Sequence, residues 1–336
     1  MVLTRRAYKS IARWVPNEVI SEIIQAAPPH DWASLCRTTM LFQGLGVPLL
    51  YRVVDLKTVA SVEAFCSTIA SHTAKFAKLV QSLTVDAHAL LIVSLFELHT
   101  SDRHWTNTEG LGTLSSFLAR HPTLKSVTIY DTAQFEWPST AARIPLPDLQ
   151  RICAPAKVFP RIIVDGLKEA RLEWEFRDEV HMWPPEPIFL ALKATTRREK
   201  SLVCSIFCSN FELPSIMASA SMHIPHAKAL RIVVADLRAD DEDLRLCDIQ
   251  CVKQYLSRFT GLEFFSLEMF ELWGRVAFGA TEADDQLTVH DFGDLCSTLQ
   301  ACRTSQNAWR RMNGTWERFP LTDFFPLAGI TFVQNN

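Results

Sequence analysis

The chain has 336 residues, 48% hydrophobic and 21% charged, which is the composition of a folded globular protein and excludes a disordered chain. Its formal net charge of -3 excludes the basic footprint of a protein that binds nucleic acid or an anionic membrane surface. The length exceeds that of most single compact cores, so we expect either two domains or an elongated array.

Residues 1–14 are basic and contain no apolar run of the length that a secretory signal needs. We expect a helical lead-in here, and a mitochondrial transit peptide is the alternative. The longest apolar run, residues 87–95, is far shorter than the roughly 20 residues that span a bilayer. The cysteines are odd in number and scattered, as is usual for reduced thiols. The sequence therefore predicts an intracellular protein, cytoplasmic or nuclear, with no membrane anchor.

The first predicted helix begins near Pro16 and ends near Ala26. Pro16 suits a helix start because its missing N–H would be unpaired there, and Glu18 puts a negative charge in the first turn. Apolar residues recur every three or four positions: Val19, Ile20, Ile23, Ile24 and Ala27. This face is wider than a helix of about three turns can hide by itself, so it must meet a partner.

Two further short helices are predicted before residue 51. The prolines at 28–29 stop the first helix, and Asp31 is placed to cap the second. Helix-breaking residues then end the third helix near Leu45: Gly44, Gly46 and Pro48. Three short helices within about forty residues hold little core of their own, so their stability should depend on docking to something else.

The segment Val15–Leu56 resembles an F-box followed by the first strand of a leucine-rich-repeat-like array, a pattern of many fungal F-box proteins. Its Val-Pro-Asn-Glu start is similar to the family's Leu-Pro-x-Glu opening, with Val15 in place of Leu, while residues 38–43 lack the family's Arg-rich turn. The resemblance implies that one set of residues lies at or behind an interface with a Skp-family adaptor: Val15, Pro16, Glu18, Val19, Ile23, Leu35 and Cys36. The alternative is an N-terminal helical cap of a larger domain.

After residue 56 a short apolar pattern recurs, in which the last two positions alternate as in a half-buried strand. We predict strands at Val80-Leu83-Val85, Leu124-Val127-Ile129, Leu149-Ile152-Ala154, Leu167-Ala170-Leu172, Val203-Ile206-Cys208, Ala227-Leu230-Ile232 and Leu262-Phe265-Leu267. Helix-like sequence precedes several of them, at residues 62–76, 111–120 and 244–259. Such strand and helix units hide their apolar faces only by stacking on one another.

The predicted fold class is therefore α/β, with an F-box-like helical module and lead-in at residues 1–56 and a degenerate leucine-rich-repeat-like solenoid at residues 57–336. The uneven spacing of the strands predicts long excursions, at residues 175–187 and 235–243. The alternative is an unrelated α/β domain whose strands share the pattern.

One set of residues is spaced almost like a zinc finger: Cys204, Cys208, His223 and His226. Only two residues separate the histidines, and one of them is Pro225, where the finger's helix would have to continue. We therefore predict core thiols and loop histidines, with no bound metal and no cofactor.

No motif for a catalytic nucleophile or a phosphate-binding glycine loop occurs, so we predict a protein that is not an enzyme. The enzyme alternative would need an unfamiliar site among His99, Asp102 and His104. Aromatic residues near strand ends are candidates for contacts with a target protein, the alternative being loop packing: Trp174, Trp183 and Trp273.

The resemblance implies a non-catalytic substrate-recognition subunit that docks an unidentified target protein to a Skp-cullin-RING ubiquitin ligase. The adaptor, and through it a cullin scaffold, would bind the helical module, and the solenoid would hold the target near the ubiquitin-carrying enzyme. The sequence leaves two other functions open: a leucine-rich-repeat-like binding scaffold with no ligase link, and an enzyme of unrecognised type.

Overall fold

A computed structural model of the protein describes residues 15–58, 61, 64–65, 79–86, 118–130, 143–174, 184–195, 201–209, 211–236, 242–271, 282–304 and 307–332. Over these residues the protein is a mixed α/β structure in which helices pack against one large, mostly parallel sheet. The predicted α/β class is confirmed.

Three short helices open the described chain: α1 (Asn17–Ala26), α2 (Pro29–Cys36) and α3 (Met40–Leu50). Helix α3 packs against both α1 and α2. The predicted bounds of α1 are confirmed to within one residue, since Pro16 directly precedes the helix and Ala26 ends it.

Two predictions about the next helices are wrong. Asp31 does not cap α2, because the helix already begins at Pro29, where a missing N–H costs nothing, and Asp31 lies inside its first turn. Helix α3 does not end near Leu45 but continues to Leu50.

Glycine and proline fail to end α3 for two different reasons. A Cβ on Gly46 would lie 2.6 Å from the Cys36 sulfur, so this glycine permits the close approach of α2 and α3. Pro48 lacks the N–H that would bond to the carbonyl of Gly44, but Gly44 is exposed and water can reach that carbonyl. The helix therefore runs through all three residues.

Eleven strands of the described chain form one sheet, and their order in the sheet follows their order in the chain. They are β1 (Val53–Leu56), β2 (Ser82–Asp86), β3 (Ser126–Tyr130), β5 (Arg151–Pro155), β7 (Glu169–Glu173), β8 (Val203–Ser209), β9 (Ala229–Asp236), β10 (Phe264–Glu271), β11 (Ala301–Thr304), β12 (Asn307–Met312) and β13 (Thr315–Phe319). Strands β1 to β11 pair in parallel, and β12 and β13 turn back antiparallel. A separate parallel pair joins β4 (Ile144–Pro145) to β6 (Ile162–Ile163).

Further helices of the described chain lie between or after these strands. They are a 3-10 helix (Ala156–Arg161), α4 (Pro185–Thr195), α5 (Leu213–His223), α6 (Glu242–Leu256), α7 (Glu282–Leu295) and α8 (Leu321–Ala328). Helix α6 confirms the helix predicted over residues 244–259. Of the helix predicted over residues 111–120 only the last three residues are described, and they are helical. Most of residues 62–76 lie outside the described residues.

One face of the sheet packs against helices α4 to α7 and is called the helix face. Six of the predicted strand patterns are confirmed, because their side chains belong to this core and are at most 4% exposed. The strand predicted at Val203-Ile206-Cys208 is confirmed as β8, and Ile206 and Cys208 belong to this core. The prediction is wrong for Val203, which points to the other side of the sheet because β8 aligns Cys204 with Ala170 of β7.

A ladder of equivalent backbone hydrogen bonds joins the segments that enter the strands. Each donor N–H lies just before or at the start of its strand, and each acceptor lies at the same place in the preceding unit. The bonds run from Gln81 to Arg52, Lys125 to Gln81, Gln150 to Lys125, Lys168 to Gln150, Lys228 to Leu202, Glu263 to Lys228 and Gln300 to Glu263, at 2.8–3.0 Å. Equivalent positions therefore stack on one another along the sheet.

The side of the sheet away from those helices, the opposite face, carries a second apolar cluster. Its strand residues are Val203, Ala229, Phe264, Ala301 and Ala308, and its partners from the chain beyond β13 are Phe324, Ala328 and Ile330. Helix α8 therefore lies on the opposite face. It ends at Gly329, whose φ of 73° is a left-handed conformation that glycine adopts freely.

Candidate functional site

Helix α1 divides its apolar residues between two environments. Ile20 and Ile24 are buried within the protein. Val19 is 41% exposed and Ile23 is 52% exposed, and residues four apart lie on the same side of a helix. The wide apolar face predicted from the sequence is therefore only half covered, and Val19 and Ile23 form an exposed apolar strip.

The other predicted adaptor residues surround this strip unevenly. Pro16 and Glu18 are exposed, and Val15, Leu35 and Cys36 are half-buried. The Cys36 thiol lies 3.8 Å from the carbonyl oxygen of Phe42, and burial raises its pKa. Leu35 and Cys36 belong to α2 and Val19 and Ile23 to α1, so the predicted set spans two helices that are joined through α3.

The second candidate surface is a row of polar side chains across the opposite face. Strand pairing places Arg171, Ser205, Arg231, Ser266 and Arg303 side by side on strands β7 to β11. The three arginines stand on every second strand, so their Cα atoms are about 10 Å apart, with a serine between each pair. All three arginine side chains are largely buried.

Glu268 on β10 joins two arginines of this row. Arg231 donates to both carboxylate oxygens, at 2.7 and 3.0 Å, and Arg303 lies 2.6 Å from one of them. Ser266 also donates to Glu268, at 2.9 Å. Burial opposes ionisation of Glu268, but the bonds from Arg231 and the charge of Arg303 outweigh it, so the pKa of this carboxyl lies below its usual value.

Aromatic rings cover the same guanidinium groups. Arg171 lies over the ring of Phe207, 4.0 Å from its centroid. The ring of Phe325 in α8 lies 4.9 Å from the guanidinium carbons of both Arg231 and Arg303. These contacts are cation–π interactions, and they anchor α8 to the arginine row.

Beyond α8 the chain crosses the opposite face to reach β7. The N–H groups of Thr331 and Phe332 donate to one carboxylate oxygen of Glu169, at 2.7 and 3.1 Å. The Thr331 hydroxyl donates to the other oxygen. Arg231 donates from Nη1 to the carbonyl oxygen of Phe332, at 3.3 Å. The last described residues are therefore held mainly through their backbone.

Of the three aromatic candidates for target contact, only Trp174 belongs to the described residues. Trp174 is 3% exposed and stacks on Phe189 of α4 with the ring centroids 6.0 Å apart. It packs inside the fold and has almost no surface for a target, as in the alternative of loop packing. Trp183 and Trp273 lie outside the described residues, as do His99, Asp102 and His104 of the enzyme alternative.

The predicted core thiols lie in the core. Cys204 and Cys208 are fully buried on the helix face, and burial raises the pKa of Cys204 to about 12 and that of Cys208 well above its usual value. The prediction of loop histidines is wrong for His223, which is buried in the last turn of α5, and is confirmed for His226 in the turn that follows. In the described part of the chain no group of three or more side chains is placed to hold a metal ion.

The arginine row and Glu169 were not predicted from the sequence. A signal was present for two of the three arginines, because Arg171 and Arg231 each stand between the last two apolar positions of a pattern, as in Ala170-Arg171-Leu172. Alternation sends that middle residue to the opposite face. Register across strands, which the sequence does not contain, is what joins these positions into one row.

The chain matches no model of a known protein family, and no curated protein is significantly similar to it in sequence. Within the described residues no helix has the length and apolar character to cross a membrane. The protein is thus a mixed α/β protein with a large, mostly parallel sheet. It carries two candidate functional surfaces, the apolar strip on α1 and the arginine row on the opposite face.

Proposed function

We propose that the protein is a non-catalytic substrate-recognition subunit of a Skp-cullin-RING ubiquitin ligase. Its three N-terminal helices act as an F-box-like module that binds the Skp-family adaptor. Its sheet and helices act as a leucine-rich-repeat-like solenoid that holds a target protein. The subunit then works by raising the local concentration of the target near the ubiquitin-carrying enzyme.

The observation that carries the proposal is the exposed strip of Val19 and Ile23 on α1. Ile20 and Ile24 already supply the buried contacts of this helix, so the strip is not required for packing within the described residues. Apolar side chains that recur at helical spacing on a surface mark sites for protein partners. The preceding Val-Pro-Asn-Glu sequence, which is similar to the F-box opening, indicates which partner.

Three features support the solenoid part of the proposal. The strands of the large sheet pair in the order in which they occur in the chain, they are parallel from β1 to β11, and one backbone hydrogen bond recurs from unit to unit. Stacked repeats have these properties because each repeat contacts only the next. Helix α3 ends at Leu50 and β1 begins at Val53, so the helical module leads directly into the first strand.

The test is co-purification of the full chain with a Skp-family adaptor. We expect the wild-type chain to bind and Ile23→Asp, alone or with Pro16→Ala, to reduce binding at least tenfold, because an aspartate would place a charge in an apolar interface. Leu190→Asp in α4 is the matched control, since Leu190 is an apolar helix residue of similar exposure, 45%. Its adaptor binding should equal that of the wild type.

Two outcomes would contradict the proposal. One is a wild-type chain that does not retain the adaptor, which would leave a binding scaffold with no ligase link. The other is an Ile23→Asp chain that is folded and binds the adaptor as the wild type does. Circular dichroism of each variant shows whether a loss of binding is a loss of fold.

A further inference from the structure

Glu169 on β7 is a buried carboxylate that depends on the end of the chain. It is 3% exposed, and among the described residues its hydrogen-bond donors all belong to Thr331 and Phe332. A buried carboxylate with no donor is strongly destabilising. A segment that covers Glu169 must therefore supply hydrogen-bond donors to it.

The side chains of Glu169 and Arg231 bind this segment mostly through its backbone. Glu169 accepts two consecutive backbone N–H groups, and Arg231 donates to the next carbonyl. Two consecutive N–H groups reach the same oxygen only where the backbone bends, and any peptide without proline at these positions can adopt such a bend. Selectivity comes from the hydroxyl of Thr331, which donates to the second oxygen of Glu169. Such a division between backbone affinity and side-chain selectivity is usual in peptide recognition.

The segment after β13 has an apolar anchor and a polar tip. The anchor consists of Phe324, Ala328 and Ile330, which are buried against the strands. The tip consists of Thr331, which is exposed, and Phe332, which is half-buried. Because hydrogen bonds hold the tip, it can leave Glu169 while the anchor keeps the apolar cluster closed.

We propose that Glu169 and Arg231 form a peptide clamp for a bent segment of a partner protein that presents Thr, and that Thr331 and Phe332 occupy this clamp in cis. The partner's segment competes with the chain's own tip for the same two residues. The inference deepens the proposed function by giving the class of target, and it rests on that function only for the biological role of the bound segment.

The test uses full-length chains and a fluorescein-labelled peptide with the sequence of residues 327–336, followed by fluorescence anisotropy. Thr331→Pro removes one N–H and the hydroxyl that reach Glu169, so it opens the clamp. We expect the Thr331→Pro chain to bind the peptide at least tenfold more tightly than the wild type, whose own tip competes. Adding Glu169→Gln to Thr331→Pro should return binding to the wild-type level.

A second peptide serves as the control for backbone recognition. It carries proline at the position of Thr331 and should bind the opened chain at least tenfold more weakly. Melting temperatures within a few degrees of the wild type show that the variants are folded. If Thr331→Pro does not fold, hydrogen exchange of the wild-type chain replaces it: excess peptide should speed exchange at the amides of Thr331 and Phe332.

Three results would overturn the clamp: a folded Thr331→Pro chain that binds the peptide no better than the wild type, wild-type amides that excess peptide leaves unchanged, or a concentration-dependent dimer in place of peptide capture. Failure of the clamp and failure of the proposed function are distinguishable. Adaptor binding without peptide capture removes the clamp alone, and peptide capture without adaptor binding removes the ligase role alone.

Discussion

At the scale of single residues, Glu268 holds the arginine row together. It accepts from Arg231 and Ser266 and pairs with Arg303, and these partners come from three neighbouring strands. Since its pKa is lowered in the folded protein, the ionised carboxylate stabilises the folded state. This stabilisation is fully present above the pKa of the unfolded chain and is lost as the pH falls through the folded pKa.

Glu268→Gln should therefore lower the free energy of unfolding by about 3 kcal/mol at neutral pH, because it leaves two buried guanidinium groups without their carboxylate. The difference from the wild type should shrink as the pH falls below the usual carboxyl value of 4.5. Urea denaturation over a series of pH values measures both effects.

Glu263→Gln is the control for this prediction. Glu263 forms a partly exposed pair with Lys228 at 3.8 Å, so its loss should change the free energy of unfolding by less than about 1 kcal/mol. Equal losses for Glu263→Gln and Glu268→Gln would contradict the role given to the buried pair.

The sequence predicts single residues well where a local rule applies. The buried apolar positions of β2, β3, β5, β7, β9 and β10 follow from alternation alone. Gly46 shows the limit, because the local rule makes it a helix breaker, whereas in the structure it makes room for the Cys36 sulfur. That contact joins two helices, and no local pattern in the sequence contains it.

At the scale of elements, the apolar face of α1 has a buried half and an exposed half. Ile24 is fully buried and meets α3, where a Cβ on Gly46 would be 3.8 Å from it. Ile23, its neighbour in the chain, is exposed. The sequence predicted one wide apolar face and could not say which half the protein covers, because that depends on where α3 packs.

Alanine substitutions should separate these two halves. Ile24→Ala should lower the free energy of unfolding of the helical module by about 2–4 kcal/mol, because it leaves a cavity next to α3. Ile23→Ala should change it by less than about 0.5 kcal/mol. Thermal unfolding followed by circular dichroism measures the difference, and comparable losses for both variants would place Ile23 inside the module.

The hairpin of β12 and β13 was not predicted, although its turn has a clear local signal. Asn313 and Gly314 have φ angles of 52° and 89°, and they form the two-residue loop between Met312 and Thr315. An Asn-Gly pair is the preferred sequence for such a loop. The recurring apolar pattern describes parallel strands that follow helices, and the hairpin lies outside it.

At the scale of the whole molecule, coverage of the sheet is uneven. Strands β8, β9 and β10 are the longest of the described parallel strands, and both of their faces carry apolar clusters. Strand β1 has four residues and stands at the edge of the described sheet, with Val53 64% exposed. Local opening is easiest where few buried contacts must be broken.

Hydrogen exchange should follow this gradient. Backbone amides of β9 should exchange about 100-fold more slowly than those of β1, since β9 is paired on both sides and covered on both faces. Exchange followed by mass spectrometry of peptic fragments measures this ratio. Equal protection across the sheet would mean that it opens only as a single cooperative unit.

The order of strands also determines when each part of the sheet can form during translation. Each strand from β1 to β11 can add to one already made, so the sheet can grow while the ribosome is still translating. Glu169 can bond to Thr331 only after a further 162 residues have been synthesised. Translation at about 5–20 residues per second makes this delay roughly 8–30 s. During that time Glu169 of the nascent chain has no bond to Thr331, and its carboxylate is accessible to chaperones and other proteins of the cell.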